Sequence, residues 1–235
     1  MIATIYRVTL RTQAKKGRLA ALILLGAVGI VIGLAVGLSD PTDPVRAATN
    51  MINAFGLSLY APVVTLVFAS ASLGDPAEDG TLVYLWLRPV ARWKIVAGTY
   101  LATLTVALPL VLVSLGLSAI LSDAGHGLVR GTLVSATLAV IAYGGIFTWL
   151  GLRVRRALVW GLAYILLWEG FVASAGKGAS RLAVRAYTRS VLARATGVEL
   201  KLANVSGFFA VTVPVGIAAL WGWFTVRRLR RTEVA

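Results

Sequence analysis

The chain has 235 residues, 58% of them hydrophobic, and a formal net charge of +14. Soluble domains average nearer ~45–50% apolar, so this is the composition of an integral membrane protein. With no cysteine and a single histidine, His126, disulfides, thiol catalysis and a histidine-based metal cluster are excluded. The basic excess fits anionic lipid headgroups and topology signals better than nucleic acid.

Residues 1–18 carry Arg7, Arg11, Lys15, Lys16 and Arg18. The first three are spaced by four, and Ile2, Ile5, Tyr6 and Thr9 take the opposite side. The pattern predicts a basic amphipathic helix along the membrane surface. Six apolar segments follow, at 19–38, 54–73, 95–121, 131–152, 158–175 and 207–226. Each is long enough to cross a hydrocarbon core of ~30 Å. No small-residue cleavage site follows the first run, which is therefore expected to be retained. Pro62, Pro109 and Pro214 fall inside runs and are expected to kink them. The expectation is an all-α membrane protein, one transmembrane domain over 1–235, with six spans.

Between the second and third runs lies Asp75-Pro76-Ala77-Glu78, which has the grammar of a helix start. Asp serves as N-cap, Pro suits the first helical position, and Glu completes a capping box. Pro89 disfavours helix at Arg88. A short helix over 75–88 is predicted. Leu82, Val83, Leu85, Trp86 and Leu87 surround it with apolar surface. Leu82, Leu85 and Trp86 share one face, and such a surface needs a partner.

Placing both termini in the cytoplasm puts 15 of the 23 Lys and Arg residues on that side, as the positive-inside rule favours. Six of the remaining eight fall in the loop over 176–206, where Arg181, Arg185 and Arg189 are again spaced by four. A second basic amphipathic helix is expected there, at the outer surface, as a lid or lipid-contacting element or simply as a closure of the bundle.

Catalytic chemistry does not assemble. His126 lies in a predicted short loop, Ser122–Arg130, beyond a span, and the nine acids are mostly scattered over separate loops. No Gly-x-x-x-x-Gly-Lys-Ser/Thr occurs. Glu169 is the one acid inside a run. It is either a functional group, for a cation, a proton or substrate, or an acid satisfied by a neighbouring hydroxyl, Lys177 or Arg181. Gly29, Gly33 and Gly37 form a strip for close helix approach, within the subunit or at a homodimer seam.

The stretch from Glu78 to Ala102 resembles the membrane subunit (permease) of ABC-type-2 exporters. Its pattern of an acid, Gly-Thr-Leu, an apolar run, Pro-aliphatic, a basic residue, Ile and Gly is met by Glu78, Gly80-Thr81-Leu82, Val83–Leu87, Pro89-Val90, Arg92, Ile95 and Gly98. Thr99 and Ala91 stand where Lys and Ser are frequent.

The resemblance implies a cytoplasmic coupling helix docked on a separate ATPase, with Asp75, Glu78, Asp79, Gly80, Thr81, Leu82, Leu85, Trp86, Pro89 and Arg92 as coupling residues. It also implies two ATPase subunits binding ATP and magnesium, a second permease copy or relative, and a multi-pass place in the cell membrane. No cofactor or metal is expected in this chain. The implied activity is export of an amphipathic or hydrophobic cargo. A force-transmitting or regulatory assembly and a membrane-embedded enzyme are the alternatives.

Overall fold

The computed structural model describes residues 2–13, 16–80, 90–171, 180–201 and 205–231. Among them no strand occurs, and the helices are α1 (Ile2–Gln13), α2 (Lys16–Leu38), α3 (Pro44–Glu78), α4 (Arg92–Leu121), α5 (His126–Arg153), α6 (Ala157–Phe171), α7 (Val184–Thr196) and α8 (Gly207–Arg231). Five of them, α2, α3, α4, α5 and α8, are long and apolar enough to cross a membrane.

Six spans were expected; the fifth, 158–175, falls on α6, which opens into a π-helix over Tyr164–Phe171, and residues 172–175 lie outside the described residues. Within α6 the Glu169 side chain turns aside to bond another helix. The second expected span, 54–73, is the middle of a longer helix. α3 begins at Pro44, where the Asp43 carboxylate accepts the Arg46 N–H at 2.9 Å. It widens to a π-helix over Ile52–Tyr60 just before Pro62, and Ser58 Oγ donates five residues back to the Asn53 carbonyl. The predicted loop Ser122–Arg130 shrinks likewise, because α5 starts at His126.

The core lies where α3, α4 and α5 meet and is continued by α2 and α7. Tyr60, fully buried, sits at its centre. Its hydroxyl lies within bonding range of the carbonyls of Leu22 and Leu110 and of Ser114 Oγ, so one side chain ties α2, α3 and α4 together. The glycine strip on α2 is used inside the subunit. A Cβ on Gly33 would run into the Ser118 carbonyl oxygen of α4, and one on Gly29 into the Phe55 ring of α3. The seam reading of that strip therefore gives way to intrachain packing. α1 presents Ile2, Ile5, Thr9 and Gln13 to the bundle and exposes Arg7 and Arg11. Gln13 is buried and donates to the Phe68 carbonyl and to Thr103 Oγ1, at 3.1 and 3.0 Å.

Close packing at Gly33 predicts that Gly33→Leu costs about 1–3 kcal/mol of stability through overpacking. Gly216→Leu, where a Cβ meets nothing within 4 Å, should stay within about 0.5 kcal/mol. Thermal unfolding of the detergent-solubilised protein checks the pair.

Candidate functional site

One end of the bundle gathers the basic residues around the chain's coupling candidates. α3 arrives there through Gly74, which approaches Gly151 of α5 so closely that a Cβ would stand 3.1 Å from that carbonyl oxygen. Asp75 is not a helix start. α3 runs through it, with Pro76 inside the last turns, and Asp79 closes the helix by donating its N–H to the Asp75 carbonyl at 2.9 Å. Gly80 follows at φ +68°, the left-handed residue that commonly ends a helix. The capping-box reading fails because packing of Gly74 holds the chain in the helix, and the missing Pro76 N–H removes only one ladder bond.

Asp75 and Glu78 are engaged within the chain. Arg18 of α2 pairs with Asp75 at 3.0 Å, both side chains partly exposed, a contact worth ~0–1 kcal/mol. Glu78 Oε1 accepts the backbone N–H of Arg156 at 3.0 Å. Arg156 has φ +57° and forms the turn between α5 and α6, so Glu78 braces that turn. Arg92 opens α4. Beside it, Leu73, Ile95, Val96 and Leu229 form a separate apolar cluster, against which Ile5, Val90, Leu152 and Val226 pack. Thus α1, α3, α4, α5 and α8 meet at this end. Of the remaining coupling candidates, Thr81, Leu82, Leu85, Trp86 and Pro89 lie outside the described residues.

At the opposite end Glu169 is 2% exposed. Its Oε1 accepts from the Tyr164 hydroxyl at 3.1 Å and from the Val184 N–H at 3.0 Å; Oε2 accepts the Arg185 N–H at 3.1 Å. The two amides are the first of α7, whose own preceding residue, Ala183, offers no side-chain cap. Glu169 therefore caps α7 from another helix, where the helix dipole also favours its charge. Among the described residues this answers what satisfies the acid: a tyrosine hydroxyl and two amides, not Arg181.

α7 corrects the outer amphipathic reading. It is helical, but Val184, Ala186, Tyr187, Thr188, Ser190 and Leu192 are buried, and it packs on α5 through Gly131. Arg185 and Arg189 are half-buried rather than spread toward lipid phosphates. Arg189 Nε donates to Asn53 Oδ1 at 2.7 Å, and an Arg185 guanidinium nitrogen reaches the Glu169 carbonyl at 3.4 Å. Burial first, and the neighbouring Arg185 charge second, lower the Arg189 guanidinium to about 10. Asn53 and Tyr164 went unmarked in the sequence; the fourfold arginine spacing located α7 but could not say which way the face turns.

No triad, metal cluster or phosphate cradle appears among these groups, and no cluster of potential metal ligands occurs among the described residues. The arrangement is that of a polytopic helical membrane protein whose polar groups hold helices to one another. A family model described as "ABC-2 family transporter protein" matches residues 11–176, more than half of the chain. The chain belongs to that family, whose members are transporter membrane subunits. No curated protein matches it.

The cap predicts a graded series at Glu169. Glu169→Ala leaves three donors without their acceptor and should destabilise by about 3 kcal/mol or more, at ~1–3 kcal/mol per orphaned buried group. Glu169→Gln keeps one acceptor oxygen and should fall between. Thermal unfolding of the two variants beside the parent reads the order.

Proposed function

We propose that this chain is the permease half of an ABC exporter, coupled to separate cytoplasmic ATPase subunits through residues 75–92. The observation that carries the reading is the basic end of the bundle. There the family-matched chain leaves α3 at Gly80 and re-enters at Val90, which packs in a cluster shared by five helices. The nine residues between include Leu82, Leu85 and Trp86, apolar surface suited to a partner's cleft. The sequence holds no P-loop, so ATP and magnesium belong to the partner.

The mechanism follows from linkage. ATP binding draws two ATPases together and displaces the coupling segments of two permeases, a second copy or a relative. The bundles then shift as near-rigid bodies between inward- and outward-open arrangements. Nucleotide biases that equilibrium only by its differential affinity for the two states. Few charges occur within the spans, which favours an amphipathic or hydrophobic cargo moving between the permeases.

Orientation with both termini in the cytoplasm rests on the asymmetry of Lys and Arg. The inward turn of Arg185 and Arg189 strengthens it, since those two charges answer to the bundle interior. In this cysteine-free chain, Arg155→Cys and Asp123→Cys place single thiols on exposed residues at opposite ends. Membrane-impermeant maleimide on intact cells should label position 123 and spare 155. Labelling of 155 alone would reverse the topology.

The coupling assignment is tested by Trp86→Ala and Leu82→Asp. A buried interfacial aromatic costs ~2 kcal/mol or more on truncation, so co-purification of the ATPase should fall by about tenfold or more, or hydrolysis should persist without flux in liposomes. Parental binding and turnover for both variants would remove these residues from the coupling surface. Nucleotide-driven hydrolysis by the parental complex with no flux of any hydrophobic probe would favour force transmission over export.

A further inference from the structure

Between α4, α5 and α8, at the end where the basic residues gather, lies a cleft of about 170 Å³. Its lining includes Trp93, Tyr100, Thr148, Ala218, Gly222 and Thr225. Every hydroxyl on this wall is already committed. Tyr100 donates to the Ile141 carbonyl at 2.7 Å, Thr148 to Gly144 at 2.7 Å, and Thr225 to Trp221 at 2.8 Å. What faces the cleft is therefore apolar. The space is of the order of the ~150 Å³ apolar cavities that accept a benzene-sized ligand, and a Cβ added to Gly222 would meet nothing within 4 Å.

One cation stands against a lining residue and a second follows the lining at the end of α8. Lys94 Nζ stands 5.8 Å from the ring centroid of Trp93, itself a lining residue, and the Arg227 guanidinium 5.4 Å from that of Trp223. Arg227 also follows Val226, the last residue of the lining. Among the described residues no acid pairs with either cation; the ion pair there is Arg18–Asp75. Cations held at an aromatic face beside an apolar cleft match a lipid with a negative headgroup.

We propose that the cleft holds an acyl chain of an anionic glycerophospholipid whose phosphate is met by Lys94 and Arg227. The assignment rests on the chain's place in a membrane and not on the export reading, so loss of transport would leave it standing. It makes this three-helix contact lipid-filled rather than a joint between two copies.

The test is native mass spectrometry of the delipidated full chain in detergent, titrated with phosphatidylglycerol or phosphatidylcholine of identical acyl chains. The parent should retain phosphatidylglycerol at least ~tenfold more tightly, as expected for two basic groups near a headgroup. Lys94→Gln with Arg227→Gln should abolish that preference and keep residual binding of both lipids. Gly222→Leu should weaken both lipids several-fold. Equal retention of the two lipids by the parent overturns the proposal, as does an unchanged preference in the double variant. Parental lipid binding by Gly222→Leu, or its loss of a dimer without loss of lipid, overturns it too. If Gly222→Leu fails to give monodisperse protein, the double variant, altered only at these two cations, decides alone.

Discussion

In hydrocarbon a buried polar group must find its partner within the protein, because no water is there to take its place. The contacts that join the helices follow from this. Glu169 cannot stay in α6 unsatisfied, so its carboxylate takes the first amides of α7. Those amides are themselves orphans of a helix start, and one contact settles both needs. Arg189 turns to Asn53 on α3, Gln13 to Phe68 and Thr103, and Tyr60 to α2 and α4. Each such bond crosses between elements, so polar satisfaction also fixes which helices neighbour which. The remaining hydroxyls are quieter. Thr65, Ser70 and Thr148 donate to the carbonyl four residues back and leave an apolar surface for packing.

Small residues supply the other half of the packing. α2 lies against α4 along Gly33 and Gly37, and α5 receives α3 at Gly151 and α8 at Gly145. Without a hydrophobic force between helices in lipid, such approach gains dispersion contacts that bulkier residues would forbid. Packing this close has discrete rather than graded alternatives.

The long apolar runs and the face of α1 were legible because they depend on composition and period alone. What was not legible depended on tertiary partners. Two Asp-Pro pairs show the difference. Asp43-Pro44 starts a helix, since Asp40 at φ +43° and Pro41 have already broken the chain before it. Asp75-Pro76 has the same local chemistry but continues one, because Gly74 is locked against Gly151. Likewise, the spacing of Arg181, Arg185 and Arg189 marks a helix whichever way it faces. Only the Glu169 carbonyl on α6 and the Asn53 amide on α3 turn the Arg185 and Arg189 side chains inward. Glu169 stood out as one acid in an apolar run, yet its role needed α7 in place.

The same logic bears on the proposed input of force. Asp75 and Glu78 belong to the last turns of α3, so they cannot cap a separate helix. Their bonds go to the start of α2 and to the turn between α5 and α6. Val90, on the far side of residues 81–89, packs with Ile95, Leu73 and Leu229. Residues 81–89 are thus tethered at one side to a helix end braced on two neighbours, and at the other to a cluster spanning five helices. Of these tethers the Arg18–Asp75 pair is weak and partly solvated, whereas the apolar cluster is buried. In the coupling proposed above, a displacement of this segment would act first through Val90 and α4, with α3 following through Glu78 and the α5–α6 turn. Packing would carry the force in that coupling, with Glu78 holding the α5–α6 turn and Asp75 the start of α2.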